Sequence, residues 1–173
     1  MRKAKVQKPF IHYEPLKPWE IVLIMIYAVI TLCIALSRFI LGTESRQVAV
    51  IFYAMLTQLF LYIFLYVSLR NFRSYLIWLC FGAIHVILYL YFKGDYDLEL
   101  PNGNASRLLL NTIPLLLLFQ FLRFLSRKCQ DRDFVAPAKG GVSDFIENTT
   151  TDYVLFVLYI ASLCGFTFLS VCY

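Results

Sequence analysis

Five stretches without a charged residue divide the chain: residues 21–37, 47–69, 74–92, 108–122 and 153–173. They run for 17, 23, 19, 15 and 21 residues, against the roughly 20 apolar residues that carry a helix across a bilayer core about 30 Å thick. Backbone exposed to lipid must satisfy its own hydrogen bonds, which an open strand does not do, so spans of this length are helices. The first stretch resumes at Phe39, Ile40 and Leu41 once Arg38 extends to the headgroups, and the fourth continues to Phe124 and Leu125 once Arg123 does the same. The predicted fold is an all-α integral membrane protein with five transmembrane helices, at 21–41, 47–69, 74–92, 108–125 and 153–173.

The connections are short. Residues 1–20 form a basic tail, and Arg70, Asn71, Phe72 and Arg73 alone separate the second and third spans, which predicts an antiparallel helical hairpin. Residues 93–107 form a loop with Asp95, Asp97 and Glu99 at alternate positions, read as a solvated acidic face rather than a calcium site. The longest polar piece, 123–152, has 30 residues, too few to fold alone below the limit of about 40, so no soluble catalytic domain is expected. Within the loop 126–152, a flexible break is expected from Ala136 to Gly141. Asp144 and Glu147 suggest a short interfacial helix, and Thr149 and Asp152 cap the last span. Pro18 suits a first helical turn. The first span begins too late, and runs too long, for a cleavable signal peptide.

Composition agrees: 60% of the 173 residues are hydrophobic and only 27 carry a charge, which excludes an ordinary soluble globule and a disordered chain. The net charge of +5 is distributed unevenly over the connections. The tail (Arg2, Lys3, Lys5, Lys8, Lys17), the second joint (Arg70, Arg73) and the fourth (Arg123, Arg127, Lys128, Arg132, Lys139) hold 12 basic residues; Arg38, Arg46, Lys93 and Arg107 make 4 on the alternate joints. Lys and Arg are retained on the cytoplasmic side, which predicts the N-terminus in the cytoplasm and the C-terminus outside. The expected membrane is a cell (inner) membrane rather than that of an organelle. The basic residues Arg2, Lys3, Lys5, Lys8, Lys17, Arg70, Arg73, Arg123, Arg127 and Lys128 are assigned to the membrane surface, contacting anionic headgroups rather than nucleic acid.

Polar groups inside a bilayer are the first candidates for function. Tyrosines aside, these are His85, Gln58, Asn111 and Gln120. Gln58 and His85 lie at similar depth, so a hydrogen bond across the hairpin is expected, as glue between helices. Pro114, three residues after Asn111, should kink the fourth span. Ala161 and Gly165 form a small-xxx-small pair for close helix packing, within the bundle or against another subunit. Cys33, Cys80, Cys164 and Cys172 fall in the greasy runs and Cys129 in a polar stretch, without metal or redox spacing, and are read as buried, inert thiols. One histidine at depth does not supply bis-histidine haem ligation, and no metal site, cofactor or catalytic constellation is expected. By elimination, the sequence reads as a non-enzymatic subunit or assembly factor of a larger membrane complex, with lipid and other membrane proteins, or itself, as partners. The alternatives are an oligomeric transporter or channel with a polar path around His85, Gln58 and Asn111, and a membrane enzyme acting on lipid through Arg70, Arg73, Arg123, Asp131 and Asp133.

Overall fold

The computed structural model describes residues 9–101, 103–137 and 148–172. It has five helices long and apolar enough to cross a membrane. Their bounds depart from the apolar runs where caps and packing outweigh hydropathy.

Helix α1 (Pro18–Ala35) begins three residues before its charge-free run. Pro18 loses nothing there because first-turn amides have no helical acceptor, and Glu20 turns back to accept the Lys17 amide at 2.7 Å. A short α2 (Ser37–Ile40) follows. Helix α3 (Thr43–Ile63) stops well before the run 47–69 ends. The remaining residues form a turn and a 3-10 segment, Ser68–Arg70, in which Leu65, Tyr66 and Leu69 are almost fully buried. Their apolar character thus serves packing between helix ends rather than length for a span. Helix α4 (Phe72–Phe92) is capped by Asn71, whose side chain accepts the Arg73 amide.

A 3-10 turn (Tyr96–Leu98) and two paired two-residue strands, β1 (Glu99–Leu100) and β2 (Gly103–Asn104), lead into the fourth span. That span is a 3-10 stretch, Ala105–Asn111, continued by α5 (Thr112–Gln130). Pro114 therefore lies in the first turn of α5, at the change of helix type, where its missing N–H is tolerated. At 26 residues the combined segment is longer than hydropathy alone suggested. The last helix, α6 (Thr150–Cys172), is capped as expected: Asp152 accepts the Thr149 amide at 3.0 Å and Thr149 Oγ1 accepts the Asp152 amide at 3.4 Å.

Helix α4 presents Gly82 to the start of α5. A Cβ on that glycine would lie 2.9 Å from Ile113 Cγ1, so α5 packs here at a distance that leaves no room for a side chain unless Ile113 shifts. Helix α6 is held to α3 by the Tyr62 and Tyr159 rings, stacked 3.6 Å apart, and by the Tyr159 hydroxyl donating to the Gln58 carbonyl.

One end of the bundle gathers residues 9–17, the turn after α3 and the segment after α5. Phe72 N donates to His12 O, Asn71 is bonded to the Glu14 backbone in both directions, and Ser68 donates to the buried Glu20 carboxylate. Arg70 donates to the Phe134 carbonyl, and Phe134, Val135 and Ala136 are buried. Ala136 is therefore anchored, while the Asp144 and Glu147 helix falls outside the described residues.

Candidate functional site

The three helices α1, α3 and α4 meet around His85. In α1 and α3 the same spacing recurs: a tyrosine with a threonine one turn later, Tyr27 with Thr31 and Tyr53 with Thr57. Each threonine donates its hydroxyl proton to the carbonyl of its own tyrosine, at 2.8 and 2.6 Å. A hydroxyl has one proton to give. The contacts that cross between helices, Tyr27 to Thr57 at 3.0 Å and Tyr53 to Thr31 at 2.7 Å, must then be donated by the phenols. With both phenol protons committed, His85 Nε2, 2.8 Å from Tyr27 and 2.9 Å from Tyr53, has to carry a proton and share it between the two oxygens. On the far side of the ring Nδ1 lies 2.8 Å from Thr112 Oγ1 at the start of α5 and is hydrogen-bonded to it.

The directions close on themselves. They put a proton on Nε2 of His85, and they engage both ring nitrogens. All six side chains are buried, with His85 at 0% exposure, and Trp78 and Phe81 close the site against the Tyr27 ring at 5.0 and 4.9 Å. Chemically the arrangement clamps four helices to one ring.

The neutral amides named from sequence serve separate contacts, and Gln58 Oε1 and Asn111 Nδ2 are buried without a partner. Gln58 does not reach His85; its Nε2 donates to the Leu108 carbonyl at 2.8 Å, tying α3 to the 3-10 stretch before α5. Gln120 donates to the Leu69 carbonyl at 3.1 Å. Asn111 Oδ1 accepts from Ser170 at 3.0 Å, joining the fourth span to α6. Ala161 and Gly165 do not pack inside the bundle: both are exposed, and a Cβ on Gly165 would meet nothing within 4 Å. The close-packing glycine is Gly82.

Several charged residues are not where hydropathy put them. Arg123 does not extend to headgroups; it is fully buried, donates to Asp133 at 2.9 Å and carries the Phe10 ring over its guanidinium. Arg127 grips the same carboxylate through two bonds of 2.7 and 2.9 Å. Burial alone would raise Asp133, but the bonds from Arg127 and Arg123 outweigh it and hold the carboxyl down to about 2. Of the other assigned surface cations, Arg70 turns inward over Tyr66, whereas Lys17, Arg73 and Lys128 are exposed; Arg2, Lys3, Lys5 and Lys8 lie outside the described residues.

At the opposite end Asp95 and Asp97 are not a free acidic face. Both pair with Arg46, which is buried and also lies over Phe92, and its hydrogen bond holds Asp95 below the ordinary carboxylate range. Cys33, Cys80, Cys129 and Cys164 are exposed rather than buried, and Cys172 is half-buried; all five are free. Small thiols on outward faces are tolerated when those faces meet lipid.

No family model matches the chain, and no curated protein or solved structure matches it significantly. The tyrosines and threonines of the His85 cluster escaped the sequence reading because phenols and hydroxyls are common in spans. The signal that would have found them is the Tyr-x-x-x-Thr spacing repeated in two helices.

Proposed function

We propose that the chain is a multi-pass membrane protein, N-terminus in the cytoplasm and C-terminus outside, serving as a non-enzymatic subunit or assembly factor of a larger complex in a cell (inner) membrane. One observation carries this reading: the imidazole at the centre of the helices is wholly committed to the protein's own hydroxyls. Both nitrogens of His85 are engaged, and Gln58 is bound to backbone. A conduit needs polar groups free to exchange partners with a passing solute, and a clamp needs them occupied. The lipid-enzyme alternative is weakened in the same way, since Asp133 is held by two arginines.

The orientation rests on charge. The end that gathers residues 9–17, the α3–α4 turn and the segment after α5 belongs to the connections with 12 Lys and Arg, against 4 on the other joints. The partner-facing role is supported by α6, whose apolar outward face includes Ala161 and Gly165 with open space beside them.

Purification of the full chain from native membranes in a gentle detergent tests the reading. Recovery of foreign membrane proteins in fixed stoichiometry is expected, and a lone homogeneous species would remove the subunit role. Transport is tested separately: if Gln58→Leu changed solute flux at unaltered abundance, the clamp account would give way to a conduit.

A further inference from the structure

Between the C-terminal ends of α4 and α6 and the 3-10 stretch before α5 lies a cleft of about 360 Å³. Two cations, Lys93 and Arg107, stand on its wall. The neighbouring acids do not neutralise them, because Asp95 and Asp97 pair with Arg46, and no ion pair joins Lys93 or Arg107 to an acid among the described residues. Deeper in the same wall is Asn111, 6% exposed. Its carbonyl oxygen is taken by Ser170, while its amide nitrogen is buried without a partner. A buried donor left unpaired is costly, and a ligand acceptor is one way to relieve it. The remaining wall is formed by Tyr89 and by the aliphatic and aromatic side chains of Leu110, Phe166 and Leu169.

We propose that this cleft binds a phosphate-bearing amphiphile, its anionic head between Lys93 and Arg107 with the Asn111 amide donating to a phosphate oxygen, and its hydrocarbon along Leu110, Phe166 and Leu169. The cations belong to the helix ends, where headgroups lie. Phe166 and Leu169 belong to the last two turns of α6, at acyl depth, since each residue advances about 1.5 Å along a helix. A cationic rim over an apolar wall suits a lipid better than a free anion, which gains nothing from Phe166 or Leu169. The inference is independent of the subunit reading: a scaffold or a conduit could hold such a lipid.

The test is retention of lipid by the full chain, purified from nanodiscs of mixed phosphatidylglycerol and phosphatidylcholine and weighed by native mass spectrometry. One phosphatidylglycerol per chain is expected to remain, with affinity falling roughly five-fold for Lys93→Gln and again for Arg107→Gln, the size of one basic side chain acting at a membrane surface. Arg38→Gln, an exposed cation of the joint before α3 outside the cleft, should change nothing. Leu169→Trp, which narrows the cleft and keeps both charges, should also lower retention. Equal loss for Arg38→Gln would reduce the effect to general surface charge and overturn the site, as would the absence of retained lipid. Displacement of the lipid by millimolar glycerol phosphate would assign the cleft to soluble phosphate esters and overturn the hydrocarbon half.

Discussion

Replacing His85 by leucine removes an enclosed imidazole that makes three side-chain hydrogen bonds, to Tyr27, Tyr53 and Thr112. A side-chain hydrogen bond between membrane helices is worth about 0.6 kcal/mol on average and about 1.7 at most, so three come to about 2 kcal/mol and at most about 5. The structure places the expected loss near the lower figure, at about 2–3 kcal/mol. Tyr27 keeps Thr57 and Tyr53 keeps Thr31, so only the Thr112 hydroxyl is stranded. Unfolding in mixed micelles of mild detergent and dodecyl sulfate, followed by Trp78 fluorescence, measures it: the indole is 1% exposed and 5.0 Å from the Tyr27 ring, and Trp19→Phe removes the exposed indole from the signal. In a cycle with Thr112→Val, the two substitutions should couple by at least about 0.5 kcal/mol, as contacting residues do. A His85→Leu protein as stable as the unaltered one, or strict additivity with Thr112→Val, would refute the clamp.

Three other outcomes follow from the packing. Gly82→Ala forces Cβ against Ile113 Cγ1 and should cost about 1–3 kcal/mol, the usual penalty of overpacking, read in the same unfolding assay; no loss would mean that the helices separate freely. Asp133 has a folded-state pKa of about 2, below the unfolded value of about 3.9, so its stabilisation is complete above about pH 4 and is lost as pH falls towards 2. Asp133→Asn should abolish that acid-sensitive portion of the stability curve, and it should destabilise at pH 7 by about 3–5 kcal/mol through the unpaired buried Arg123. Cys129, exposed at the end of α5, should react with a membrane-impermeant maleimide only from the cytoplasmic side, in a protein whose other cysteines are replaced by serine; labelling from outside would invert the proposed orientation.

Hydropathy alone made five apolar helices legible, because the cost of exposing backbone and charge to an apolar medium depends on local composition and length. It also marked the cap at Thr149 and Asp152, a matter of spacing along one turn. What it did not mark are relations across the bundle. Arg46 read as a cation of a joint and Arg123 as one at a span end because nothing local shows that Asp95 and Asp133 will come to meet them. The run 47–69 read as one span because hydropathy does not distinguish residues facing lipid from residues such as Leu65 and Leu69, buried in the turn.

The sequence by itself thus determined which segments are apolar helices and how basic residues divide among the connections, since both follow from the chemistry of consecutive residues. Only the tertiary structure decided that His85 is answered by two tyrosines and a threonine, and that Gly82 rather than Gly165 is the point of close approach. It alone left Lys93 and Arg107 facing a cleft to which no acid among the described residues contributes. Hydrogen bonds and ion pairs act over about 3 Å, and which residues come within that distance is set by how helices far apart in the chain are brought together.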